Sequence, residues 1–195
     1  MNKKYLLLAV AVVVAAAVIT AVNLWPTERK ELRARNLCLG MLSEATAGLL
    51  HDGKGGRVVV DEDTGGTSGA EANKPADPVF STICFVGRQN AGAATTRIQY
   101  TLDVRPADAR NAATKDATPI GGGRSGWVGP RQSEVQLPAA CGKEMGTTAR
   151  YVTLTLKISP AVLVEEDWNT TSLIASSRTI LLESVGNLAK QYDCA

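Results

Sequence analysis

From Tyr5 to Trp25 the chain runs through 21 residues without a charge. In helical form, 21 residues cover about 30 Å, the thickness of a bilayer's hydrocarbon core. A segment of that length divides the chain, because a modest domain has no room for it in its own core. Asn23 is its only strongly polar residue, and Trp25 stands where an indole would meet the headgroups. A cleaved secretory signal is the competing reading, since Ala15 and Ala17 form a small-x-small pair and Ile19 and Ala21 a poorer one. The first pair lies inside the run and the apolar stretch is long for a signal, so an uncleaved anchor is the favoured reading. Lipidation is rejected because the first cysteine, Cys38, comes thirteen residues after Trp25. The expected division is a cytoplasmic tip (1–4), a transmembrane anchor (5–25), a juxtamembrane stalk (26–35) and an extracytoplasmic globular domain (36–195). The first partner expected is therefore the lipid bilayer, through residues 5–25, in a single-pass protein of the cell membrane.

Two signals disagree on orientation. Arg29, Lys30, Arg33 and Arg35 follow the run, against Lys3 and Lys4 before it, and a count of flanking positives would put the C-terminal side in the cytoplasm. The cysteines argue the other way. Cys38, Cys84, Cys141 and Cys194 are even in number, all lie beyond the run, and show no spacing suited to a metal. Two disulfides in an oxidising compartment fit them better than a zinc site or free thiols, which places the domain outside the membrane. Cys38–Cys84 with Cys141–Cys194 is favoured over the crossed arrangements, because each pair brackets one block of predicted structure. On that pairing, loss of Cys194 is expected to loosen the last helix more than the first.

Charge narrows the partners. With Lys3 and Lys4 ahead of the run, the remainder carries 19 basic and 19 acidic residues. A phosphate-binding surface needs a basic surplus, so nucleic acid is not expected as a partner. Hydrophobic residues make up 45% of the chain, too many for wholesale disorder, and aromatics at 5% are too sparse for a ring-lined groove.

Periodicity predicts helices at both ends and strands between. Ala34, Cys38, Met41, Leu42, Ala45 and Leu49 recur at helical spacing within Glu28–Leu50, which His51-Asp52-Gly53 should end. Strands are predicted over Arg57–Glu62, Val79–Val86, Arg97–Val104, Ser133–Leu137 and Arg150–Ile158, the third and fifth alternating clearly. Asp63–Asp77 and Pro106–Pro130 read as loops, with Trp127 the one large apolar side chain in the second. Thr170–Tyr192 reads as a long helix with Ile174, Leu181, Val185, Leu188 and Tyr192 on one stripe, capped by Asn169 or Thr170. Helix, strands, then helix, without strand–helix alternation, predicts an α+β fold: an N-terminal transmembrane helix, then an antiparallel sheet packed by two main helices.

Motifs for catalysis or metal binding are weak. His51 is the only histidine and sits where helix ends are usually solvated. Ser68, in Gly66-Thr-Ser-Gly-Ala, and Ser125, in Gly123-Arg-Ser-Gly, fall short of a nucleophile elbow. Asp61-Glu62-Asp63 begins like a calcium loop, but Gly65 and Ala72 stand where ligands belong. Glu165-Glu166-Asp167 reads as acidic charge near the start of the last helix, and Asn169-Thr170-Thr171 matches a glycosylation acceptor. No catalytic residue, metal ligand or cofactor is assigned.

Asn36-Leu-Cys-Leu-Gly-Met-Leu, Ile83-Cys-Phe-Val, Leu137-Pro-Ala-Ala-Cys141 and a final helix ending at Cys194, within an Ala-, Gly- and Thr-rich chain, resemble small membrane-anchored, cysteine-paired envelope proteins of high-GC Gram-positive bacteria. The resemblance spans residues 36–195 and implies an extracytoplasmic location, but no activity and no site residues. The expected function is a membrane-tethered binding or interaction module of the cell envelope, its partner an envelope protein or ligand not specified by the residues. The alternative is an envelope hydrolase using His51 with a loop serine. The absence of a catalytic set leans against an enzyme.

Overall fold

Alternation of apolar and polar side chains organises the centre of the molecule. In β3 (Arg97–Ala107) and β7 (Tyr151–Ile158), Leu102 and Val104 lie opposite Leu156 and Leu154. All four are fully buried. The structure, a computed structural model, describes residues 28–64, 82–164 and 169–194. The proposed anchor 5–25, the tip before it, Gly66–Ala70 with Ser68, most of the first predicted loop, and Glu165-Glu166-Asp167 lie outside the described residues. Among those described, no helix is long and apolar enough to cross a membrane.

Five further strands complete the sheet: β1 (Arg57–Thr64), β2 (Thr82–Gln89), β4 (Thr118–Pro119), β5 (Gly126–Val128) and β6 (Gln132–Gln136). The order is β1-β2-β3-β7-β6-β5-β4 and every pairing is antiparallel. Both edges are blunted against further pairing. β1 carries Asp61, Glu62 and Asp63, and β4 is two residues long and ends in Pro119. β4 and β5 fall inside Pro106–Pro130, which alternation over so few residues did not reveal.

The expectation of two main helices is corrected to one. The predicted Glu28–Leu50 helix is α1 (Glu28–Arg35), a tight turn, and the single turn α2 (Glu44–Ala47). Leu37 and Leu42 exchange backbone hydrogen bonds, closing a hairpin whose tip residues Cys38, Leu39 and Gly40 all have positive φ. Gly40 has φ +92, and a Cβ there would meet the backbone of Leu32 and Arg33 at 3.0 Å as well as the Gln191 side chain, so the position favours glycine. The helical spacing of apolar residues belongs instead to a plug: Cys38, Met41 and Leu42 are fully buried.

The last helix, α5 (Thr170–Gln191), holds that plug. Glu183 accepts from Ser43 N at 2.6 Å and from the Thr46 hydroxyl, Asn187 Nδ2 donates to Met41 O at 2.9 Å, and Arg33 Nε donates to Gln191 Oε1 at 3.1 Å. Positions 183, 187 and 191 are four apart, so one polar stripe of α5 grips the N-terminal turn. Leu181, Val185, Leu188 and Tyr192 are buried as the stripe required, with Leu173, Ile180 and the small Ser177 and Ser184 beside them. Asn169 caps the helix in a capping box with Ser172.

At the other end, Asp193 takes positive φ, and Cys194 N donates back to Ala189 O at 2.9 Å. This closure turns Cys194 toward Cys141. Cys141 lies on α3 (Ala139–Glu144), a short helix after β6, and α4 (Pro160–Leu163) is a further single turn. The disulfides are Cys38–Cys84 and Cys141–Cys194, the bracketed arrangement.

A pocket on the open face of the sheet

Register assigns every strand residue to a face. Leu102, Val104, Leu154, Leu156, Val135 and Val128 lie on the side covered by α5. On the other side, one cross-strand row runs Pro119, Trp127, Glu134, Thr155, Asp103, and the next holds Gln136, Thr153 and Arg105. Alternation predicts solvent for this second face. At Thr101 and Lys157 it is open to partly open, but Glu134 is 2% exposed, Thr153 5%, and Trp127 and Gln136 8% each.

The cover is the β3–β4 connection. Asn111 Nδ2 donates to Glu134 Oε2, and Ala117 N donates to Thr114 O in a turn that brings the chain back to β4. Gly129 permits the approach, and Gly126 the close packing of β5 on β6. A Cβ at Gly129 would meet Thr114 Oγ1 at 2.6 Å, and one at Gly126 would meet Glu134 O at 2.3 Å. Gly126 has φ +153 and lets β5 lie hard against β6. Between the connection and the sheet is a cavity of about 360 Å³ lined by Arg110, Asn111, Pro119, Trp127, Glu134 and Gln136, among others. That volume falls in the range of ~300–1,000 Å³ common for small-molecule sites.

Several polar side chains belong to the residues that line it. Trp127 Nε1 and Gln136 Nε2 are covered by protein atoms and have no hydrogen-bond partner among the described residues. Each is a donor whose burial without an acceptor is costly. The Glu134 carboxylate receives its hydrogen bond from a neutral amide. Arg110 sits at the rim with its guanidinium 5.3 Å from the Tyr151 ring, and Arg150 lies at the same distance from that ring. Asp103 and Arg105 form an ion pair at 2.6 Å further along the face. Trp127 was legible in the sequence as a large apolar side chain in a loop. Glu134 and Gln136 were not, since alternating polar positions of a strand normally face water and only the connection above buries them.

The residues singled out in the sequence are dispersed. His51 Nδ1 accepts from Gly53 N at 3.2 Å, in the loop beside the start of β3. Ser125 is exposed, and its carbonyl accepts from Gln136 N at the end of β6 that faces Thr153 and the far end of β3. His51 and Ser125 thus stand at opposite ends of the sheet, and Ser68 lies outside the described residues. Asp61 and Asp63 point to the open face, whereas Glu62 points to the helix face, where its Oε1 accepts from Leu39 N at 2.8 Å. The three therefore do not converge, and among the described residues no group of three His, Cys, Asp or Glu side chains is placed to hold a metal ion.

Next to His51 lies a buried ion pair that the sequence did not announce. Asp52 is 1% exposed; its Oδ2 accepts from Arg97 Nε at 2.8 Å, and its Oδ1 accepts from Lys54 N at 3.3 Å. The hydrogen bond from Arg97 holds the Asp52 carboxyl below its usual 3.8, against the opposing effect of burial. A carboxyl depressed on folding stabilises the fold above its unfolded value, and that contribution is lost as pH falls through the folded value. Asp52→Asn should therefore lower stability by about 2–3 kcal/mol at neutral pH and by less in acid. This is at or below the ~3–5 of a fully buried broken pair, because the Arg97 side chain is 27% exposed. Urea unfolding across the acid range checks it: equal losses at neutral and acid pH would refute the ion-pair account.

Tyr100 is the other perturbed group. Its hydroxyl donates to Ala47 O at 3.0 Å, and burial, with Glu183 nearby, pushes its phenol up beyond the ordinary range. Its role is to tie β3 to the end of α2.

Comparison with known proteins gives no relative: no family model, no curated protein and no solved structure matches the chain.

Proposed function

We propose that the chain is a membrane-tethered extracytoplasmic binding module of the cell envelope. Residues 5–25 form the tether, and the Trp127 pocket forms the binding site. The observation that carries the binding reading is the cavity of about 360 Å³ under the β3–β4 connection, with the buried Glu134 in its lining. Its lining sets apolar surface from Trp127 and Pro119 beside the polar Glu134, Asn111 and Arg110, the mixed lining of a small-molecule site. The location rests on other grounds: the uncharged 21-residue run, the two disulfides that an oxidising compartment favours, and the resemblance to envelope proteins.

The test is topology in whole cells producing the full chain. External protease should shorten the protein to a membrane-retained N-terminal fragment, and the thiols should become reactive only after a reductant is added. Protection of the domain in cells where an external control is cut, or four reactive thiols without reductant, would overturn the proposal.

A further inference from the structure

We infer that the pocket under the β3–β4 connection takes a small organic cation with a primary ammonium group, its N–H groups on the Glu134 carboxylate and its charge beside the Trp127 indole. The inference rests on the binding-module reading and adds the chemistry of the ligand.

The floor of the cavity is one cross-strand row. Trp127 pairs with Glu134 on one side and Pro119 on the other, so the three side chains stand next to one another on one face of the sheet. All three line the cavity. Glu134 is 2% exposed, and its Oε2 is taken by the neutral Asn111 amide. Its Oε1 has no partner among the described residues, yet protein atoms do not seal it as they seal Trp127 Nε1 and Gln136 Nε2, so it opens on the cavity. A carboxylate removed from bulk water is costly unless it meets a cation. An ammonium at Oε1 supplies that cation through a charge-assisted hydrogen bond. The neighbouring indole favours the same charge, since tryptophan is the aromatic side chain that attracts a cation most strongly. Pro119, Ala113 and Ala117 offer apolar surface to the ligand's carbon chain.

Other charges fit less well. An anion would be repelled by Glu134 at close range. A divalent metal such as calcium needs about six or more oxygens, and among the described residues no three His, Cys, Asp or Glu side chains converge. Arg110 is the other charged residue of the lining, and its charge opposes a cation. It is exposed, with its guanidinium 5.3 Å from the Tyr151 ring, so water screens it, whereas Glu134 acts through protein.

The test is amide NMR of the isotope-labelled, oxidised full-length protein in detergent. The probes are propylamine and benzylamine, the alcohol and the trimethylammonium analogue of each, and propionate. At least one amine should bind, with shifts centred on residues 110–119 and 126–136. Its alcohol lacks the charge and its trimethylammonium analogue lacks the N–H, and each should bind about tenfold or more weakly. Glu134→Gln keeps an acceptor for Asn111 and removes the charge, so it should weaken the amine about tenfold or more with the circular dichroism unchanged. Arg110→Ala removes the opposing charge and should tighten binding about two- to threefold. Thr101→Ser on the open face should leave binding unaltered.

Equal binding of an amine and its alcohol or trimethylammonium analogue would overturn the assignment, as would binding of propionate in place of the amines. Weaker binding in Arg110→Ala would make Arg110 a ligand-binding group and overturn it as well. No binding by any probe would overturn it outright, and the comparison of probes on the unaltered protein decides the matter even if a variant fails to fold. Binding of propionate or an alcohol at these residues strikes the ligand class and keeps the binding module. Protection of the domain in the topology experiment strikes the tethered reading and leaves the ligand assignment standing.

Discussion

Replacing Leu154 with aspartate should cost about 4–5 kcal/mol, enough to unfold a marginal domain. Leu154 is fully buried on β7, between Val104 of β3 and Val135 of β6. The substitution opens space in the core and places a carboxylate there with no cation opposite. The contrasting variant is Thr101→Asp, one strand away on the other face. Thr101 is half-buried, and its cross-strand neighbour is the exposed Lys157, so the new charge meets an ammonium and the change should stay within about 0.5 kcal/mol. Urea unfolding of the oxidised protein followed by circular dichroism checks both. Equal losses would mean that the open face is covered as fully as the helix face.

Thr153 shows where alternation misleads. Its parity puts it with Thr101, but it is 5% exposed and its hydroxyl donates to Arg105 O at 3.4 Å. Thr153→Asp is accordingly not a mild change, and the boundary between the open and covered parts of this face runs between the two threonines.

Loss of the Cys141–Cys194 disulfide should lower stability by about 2–5 kcal/mol, with the chain-entropy value for a loop of this length near 4. The sequence separation is 53 residues, and both sulfurs are buried at the junction of α3 with the end of α5. Bracketing suggests that Cys194→Ser would loosen the last helix more than the first. The tertiary contacts add a route by which the N-terminal segment loosens with it. Arg33 of α1 is bonded to Gln191, Met41 O to Asn187, and Ser43 and Thr46 to Glu183. Fraying of α5 from its C-terminus therefore releases Gln191 first, then Asn187, and with them the N-terminal plug. Hydrogen exchange on the Cys194→Ser variant should show amides of 36–43 losing protection together with those of 187–192. Loss confined to α5 would refute the coupling. Loss of Cys38 acts differently, because the plug keeps its bonds to α5 when its link to β2 is gone.

Residue patterns alone determined a good deal of this protein. Alternation in Arg97–Val104 and Arg150–Ile158 found the two central strands and the side of each that forms the core, because a period of two admits no other placement of Leu102 or Leu154. The absence of strand–helix alternation gave the antiparallel α+β class, and the last helix begins at Thr170 as predicted, with Asn169, one of the two candidate caps, at its start.

Tertiary structure decided the rest, and in each case the cause is a contact distant in sequence. Glu28–Leu50 has helical spacing, but Gly40 must pass under Gln191 and Cys38 must reach Cys84, so the helix breaks at Arg35. Gln99 is buried at 1% despite its polar parity, because β3 shifts register where Val86 meets Tyr100 and Gly87 meets Ile98. Glu134 and Gln136 read as solvent-facing strand residues. They became the wall of a pocket because the connection after β3 folds back on them, and no local signal in either segment records that meeting. Burial is a property of what arrives from elsewhere in the chain, and a single sequence reports it only where periodicity leaves no choice.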